Sequence, residues 1–306
     1  MFIARALKEI GKILLYLIAV VILGALLAPP LFWSAHALAH SLRNERLIQF
    51  LADTDFQRYF DRAVLIAAFV LLWPLVRSLK ISSFEKLGLK PNPRPWRDFL
   101  SGLCAALALM ITLGAILLST GIYNLKEPIP FGALFKIALS AAGASVLEEL
   151  LFRGAILGVL RRSIGSVWAV ISSAALYSIV HFIKPPEDVV EMKSVSWFSG
   201  FVLIPHAFWQ FTDPMLLLGG FSTLFVLGLI LGYAAVKTKS LWLPIGIHAG
   251  MILGKFGFSK LTVRREDALP WFGRDIQVGL GSLLALALLG LFFRWKLKDE
   301  KNAEPH

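Results

Sequence analysis

Glu148-Glu149-Leu150-Leu151-Phe152-Arg153 decides how the rest of the chain is read, because these six residues lie inside an apolar run covering residues 131–162. An ionisable side chain at the centre of a bilayer costs about 2.5–3.5 kcal/mol on insertion scales, so such groups face a bundle interior or a hydrated cavity and serve a function. On a helix, Glu149 and Arg153 stand at i and i+4 and pair. Glu148 projects about 100° round the axis from Glu149. One acid therefore has a local partner, and the other is left as a candidate proton acceptor. The plainer alternative is that both glutamates close salt bridges between helices. The run is also long: roughly 20 apolar residues cross a bilayer, so this segment must tilt, break or project beyond the membrane.

The surroundings fit that setting. Of 306 residues, 57% are hydrophobic and only 17% are charged, against about 25% charged in soluble domains, and the mean hydropathy is +0.70. The chain is read as an integral membrane protein. Its net charge of +11 belongs to topology, since no basic surface interleaved with stacking aromatics marks a nucleic-acid binder. The single cysteine, Cys104, excludes a disulfide framework and a cysteine-based metal site.

Outward from the central run, apolar segments fall at about 13–38, 63–79, 99–120, 164–183, 215–236, 241–258 and 276–293. With 131–162 they predict an all-α, polytopic transmembrane helical bundle of about eight spans. The first is too long for a signal-peptide core and is read as an uncleaved span. Pro29-Pro30 is expected to kink or end that helix. Residues 43–62 form a mixed-charge connector, and residues 187–214, rich in aromatics such as Trp197 and Trp209, an interfacial one. Gly143, Ala144, Gly154 and Gly158 are expected to allow close helix packing. Eight spans put both termini on one side with the Arg77–Arg97 connector, Arg161-Arg162 and the basic tail. By the positive-inside rule that side is cytoplasmic, in an inner (plasma) membrane, with Lys255, Lys260, Arg264, Arg265 and Arg274 as exceptions.

Two more spans carry polar groups. Tyr177 and His181 share a helix face at i and i+4, and His248 lies in Pro244-Ile245-Gly246-Ile247-His248-Ala249-Gly250. Glu148, His181 and His248 thus offer a carboxylate and two imidazoles from three helices, which a bundle can gather in its core. Hydrolysis suits them: Glu148 as general base, His181 sharing the water and handing a proton to the leaving amine, His248 donating to an oxyanion. The same three groups are ordinary zinc ligands. Neither His-Glu-x-x-His nor a comparable local histidine pair accompanies them, and His36 and His40, at i and i+4 near the end of the first helix, are read as solvated, so zinc is the lesser reading. A lone histidine in an apolar span is otherwise a packing residue.

Glu148-Glu149-x-x-x-Arg153, Tyr177-x-x-x-His181 and His248-Ala249, in this order, resemble the CPBP family of CAAX proteases and bacteriocin-processing enzymes, over about residues 131–258, with Leu87-Gly88-Leu89 also similar. The resemblance implies a glutamic-type intramembrane endopeptidase with no cofactor, acting in the bilayer on a membrane protein or peptide. Glu148, His181 and His248 match its catalytic positions, and Glu149, Arg153 and Tyr177 supporting ones. Two residues depart from the pattern: Tyr177 stands where Phe is usual, and Ile252 where the third motif has Asn. Either another donor substitutes, with Lys255 a candidate, or activity is weak, or the protein is a non-proteolytic scaffold or immunity-type relative. By this reading the chain divides into N-terminal helices and connector (1–130), a CPBP-like core (131–258) and a C-terminal loop, helix and tail (259–306).

Overall fold

The computed structural model describes residues 2–52, 54–81, 83, 85, 91–127, 131–183, 194–214, 217–266, 270–272 and 276–303. Lys86, Leu87-Gly88-Leu89, Lys90, Pro128, Pro130, Pro185-Pro186 and Arg274 lie outside them. Among the described residues the chain is all-α apart from one small ribbon. Five helical segments are long and apolar enough to cross a membrane among the described residues: Lys8–Ser41, Phe56–Ser78, Pro95–Ser119, Gly219–Thr238 and Leu280–Lys298, with the shorter apolar helix Ser166–Phe182 beside them. This is an integral membrane protein built as a helical bundle.

The chain forms two compact units, one of residues 1–80 and 180–214, the other of residues 81–179 and 215–306. In the first, α1 (Phe2–Ser41) lies antiparallel to α3 (Phe56–Ser78), as the pairings of Tyr16 Oη with the Ala68 carbonyl and of the Phe32 ring with Phe56 require. Between them, α2 (Glu45–Ala52) turns the chain, and α8 (Ser199–His206) packs on α1. Ala25, Ala28, Phe56, Phe60, Ala63 and Leu203 form the core of this unit.

Two sequence expectations are narrowed or changed here. Of the two outcomes expected at Pro29-Pro30, a kink or an end, the end does not occur, since α1 continues to Ser41. Proline removes a backbone donor, but membrane helices tolerate it where neighbours pack against the site, and Pro29 is buried in this unit. The second span begins at Phe56 rather than residue 63, because Phe56 and Phe60 are buried in that core and Tyr59 in a smaller cluster with Ala39 and Leu51, which draws Gln57, Arg58, Asp61 and Arg62 into the helix.

In the second unit, α4 (Pro95–Ser119) and α10 (Trp242–Leu261) run parallel and touch at backbone level. Gly246, Gly250 and Gly254 form a stripe at four-residue spacing along α10. A Cβ built on Gly246 would meet the Phe99 carbonyl oxygen at 2.0 Å, and one on Gly250 the Leu103 oxygen at 2.8 Å. Small residues let membrane helices approach this closely, where dispersion contacts replace the missing hydrophobic drive. Past the helix ends, β1 (Tyr123–Leu125) pairs antiparallel with β2 (Thr262–Arg264), Asn124 opposite Val263. Gly143 does not share the packing role expected of it, since a Cβ there would meet nothing within 4 Å.

The central run is one continuous helical path. It comprises α5 (Phe131–Glu149), a π-helical segment (Leu150–Ile156) and α6 (Leu157–Ile164). Of the alternatives expected for this long run, a break does not occur among these residues; the helix widens by a turn and continues. Gly165, at φ +79°, then reverses the chain into α7 (Ser166–Phe182), a conformation glycine adopts without penalty. A second π-helical segment (Leu217–Phe221) leads into α9 (Ser222–Thr238), and α11 (Leu280–Ala303) closes the unit. Met110, Leu117, Leu231, Ile247, Leu286 and Phe293 are among its core residues.

Candidate active site

The π-helical segment starts directly after Glu149. Widening a helix by one residue per turn shifts the register of side chains and frees a carbonyl from its usual partner, which is why such turns recur at functional sites. Here α7 supplies the missing donors. Ser173 Oγ donates to the Phe152 carbonyl in the first π segment (3.2 Å), and Ser178 Oγ to the Phe221 carbonyl ending the second (3.3 Å). Both serines are buried. One helix thus stabilises two irregular turns, the first of which carries the site.

Five charged or titratable side chains, Glu148, Glu149, Arg153, Tyr177 and His248, meet around the first turn. Glu149 is fully buried. Its Oε1 accepts from Arg153 Nη1 at 2.8 Å, the i,i+4 pair, and from His248 Nδ1, also at 2.8 Å. Arg153 is 3% exposed; its Nη2 reaches the Gly228 carbonyl of α9 at 3.5 Å, and its guanidinium carbon lies 4.5 Å over the Tyr177 ring. The other imidazole nitrogen, His248 Nε2, stands 3.7 Å from Glu148 Oε2 and 3.3 Å from the Tyr177 hydroxyl. Glu148 keeps 21% of its side chain exposed, whereas Glu149 and Arg153 keep none.

The glycine stripe explains why His248 faces this way. Gly246 and Gly250 turn towards α4, and His248, two residues from each, projects about 160–200° away from them. That direction is the side on which Glu149 sits. With Nδ1–H committed to the Glu149 carboxylate, the ring orientation is set and Nε2 is turned towards Glu148 and Tyr177 as the working atom; a carboxylate on the far nitrogen orients a functional imidazole in this manner.

The two glutamates therefore differ in kind. Glu149 is saturated by an arginine and a histidine at one oxygen, in full burial. Glu148 is partly open and near the working nitrogen. Buried polar atoms almost always find a partner, and water fills that part where protein does not. Glu149 Oε2 and Arg153 Nε are buried without a hydrogen-bond partner among the described residues.

The remaining expected residues are placed as follows. Tyr177 is 1% exposed, wedged edge-on against Phe152 at 5.2 Å and against the His248 ring at 5.9 Å. His181 is half-buried in the last turn of α7, one turn beyond Tyr177 and just past the point where that helix passes from one compact unit to the other. Ile252 is half-buried and offers no donor, and Lys255 Nζ stands 5.8 Å from the Phe256 ring centroid. No group of three or more His, Cys, Asp or Glu side chains is placed to hold a metal ion among the described residues. Sequence reasoning missed Ser173 and Ser178, which no spacing distinguishes from packing serines. It also missed the full glycine stripe, whose Gly-x-x-x-Gly-x-x-x-Gly signal was present at 246–254.

Comparison with known proteins places these helices. Residues 130–253 match the family model described as Rce1-like, type II CAAX prenyl endopeptidase Rce1-like. No curated protein matches the chain. The matched stretch is less than half of the 306 residues, but it holds Glu148, Glu149, Arg153, Tyr177, His181 and His248 together. Residues 130–253 are thus similar to the Rce1-like CAAX prenyl endopeptidase family, in agreement with the CPBP resemblance.

Proposed function

We propose that the protein is an intramembrane endopeptidase that hydrolyses a peptide bond of a membrane-associated protein or peptide, with water activated by Glu148. The observation that carries this reading is the unequal pair of carboxylates. Glu149 is bound to Arg153 and His248 at 2.8 Å each, while Glu148 faces His248 Nε2 at 3.7 Å with part of its side chain open. A general base must stand within reach of the water it activates, and Glu148, unlike the fully enclosed Glu149, keeps 21% of its side chain exposed.

In the proposed sequence, Glu148 accepts a proton as the water oxygen attacks the substrate carbonyl carbon. The carbonyl π electrons move to oxygen, and His248, protonated at both nitrogens, donates Nε2–H to that oxyanion while Glu149 holds Nδ1–H. With His248 charged, two carboxylates balance two cations, so the cluster is neutral as a whole and suits a low-dielectric site. The tetrahedral intermediate then collapses. The C–N bond breaks, and the proton taken by Glu148 passes to the leaving amine, a transfer assigned to His181. Glu149 and Arg153 are positioning residues. No metal takes part in this scheme.

The test uses purified protein in proteoliposomes with a prenylated C-terminal peptide and its unprenylated counterpart as probes, beside a comparison of membrane peptides from cells carrying wild-type or Glu148→Gln protein. Glu148→Gln is expected to fold normally and to lose cleavage by at least about 10³-fold. Cleavage undiminished in that variant would end the proposal. Ile252, in place of an amide, favours a second reading, a scaffold or immunity-type protein that binds a partner without cutting it. An unchanged cellular phenotype in Glu148→Gln would support that reading.

A further inference from the structure

We infer that the Tyr177 hydroxyl is the second oxyanion donor, acting beside His248 Nε2. The inference rests on the hydrolytic reading above and deepens it. Stabilising a tetrahedral oxyanion calls for more than one donor aimed at the point where charge develops. One turn after His248, where a second donor on the same helix would stand, the chain has Ile252, which has none. The hydroxyl that is present comes from α7 instead.

Its position is fixed on every side. Tyr177 is 1% exposed; the Arg153 guanidinium carbon stands 4.5 Å over its ring, and Phe152 meets it edge-on at 5.2 Å and 88°. A phenol so held has little freedom beyond rotation of its O–H. The oxygen lies 3.3 Å from His248 Nε2. Two donors at that separation can both reach a single acceptor oxygen at about 2.8 Å, one on either side. Before substrate arrives, the two groups satisfy one another. When the carbonyl oxygen becomes negative, the Tyr177 O–H and the His248 Nε2–H both turn to it, and no proton changes owner. A phenylalanine at this position packs equally well, so the buried hydroxyl is explained by its donor role and not by volume.

The experiment compares kcat and KM for Tyr177→Phe, Ile252→Asn and the double variant in proteoliposomes, with thermal melting of each purified protein. Tyr177→Phe is expected to lower kcat about 10²-fold, the scale for one oxyanion donor, while KM and melting temperature stay near wild type. Ile252→Asn in that background should restore at least tenfold, because it places an amide one turn from His248. Unchanged kcat in Tyr177→Phe, a loss confined to KM, or no recovery in a folded double variant would overturn the assignment. If wild type cuts and Glu148→Gln does not, each of these results bears on Tyr177 alone. If Glu148→Gln cuts like wild type, the hydrolytic reading and this one fall together.

Discussion

Replacing Gly246 by alanine tests whether helix approach, rather than the site residues alone, fixes the active geometry. The added Cβ would stand 2.0 Å from the Phe99 carbonyl oxygen, and ordinary contact begins at 3.4 Å. Both partners are backbone, so no side chain can swing aside, and α10 must move off α4 by about 1 Å or more. His248 projects from the opposite side of α10 and travels with it, so the shift bears directly on its 2.8 Å bond to Glu149. Overpacking of this kind costs about 1–3 kcal/mol, and misplacing a working group by about 1 Å can cost 10²-fold in rate. Melting temperature and kcat would be measured on Gly246→Ala and on Gly143→Ala, where a Cβ meets nothing within 4 Å. The control should be neutral or slightly stabilised, by about 0.5–1 kcal/mol at most. Equal stability and equal kcat in the two variants would refute the claim that the α4–α10 contact sets the position of His248.

Breaking the buried pair should be costly and its removal less so. Glu149→Gln or Arg153→Met is expected to destabilise by about 3–5 kcal/mol, because each leaves one buried charge without its partner. The double variant should regain part of that stability in a melting assay while cleavage stays lost, since His248 Nδ1 no longer meets a carboxylate. Cleavage by the wild-type protein should survive prolonged treatment with a strong zinc chelator; loss on chelation with recovery on added zinc would favour the metal-dependent form of the enzyme.

Much of this protein is determined by sequence alone. The apolar composition requires a membrane bundle, because an exposed chain of this hydropathy has no other solvent in which to fold. The four-residue spacing of Glu149 and Arg153 produces their ion pair, since a helix stacks i over i+4, and the structure has that bond at 2.8 Å. The order of Glu148, Tyr177, His181 and His248 along apolar segments was enough to suggest the family matched over 130–253. These are local features, or sums over the chain, and need no knowledge of what touches what.

Tertiary packing decided the rest. Ninety-nine residues separate Glu149 from His248, and nothing in either segment states which helix faces which. The choice is made by the glycine stripe, which seats α10 on α4 and so turns His248 the other way. The π-helical turn was equally hidden, because its stability depends on Ser173 of another helix reaching the Phe152 carbonyl. The β1–β2 ribbon joins residues that only the parallel run of α4 and α10 brings together. A residue's neighbours along a helix follow from 3.6 residues per turn; its neighbours across helices follow from which surfaces can approach, and only the folded bundle settles that.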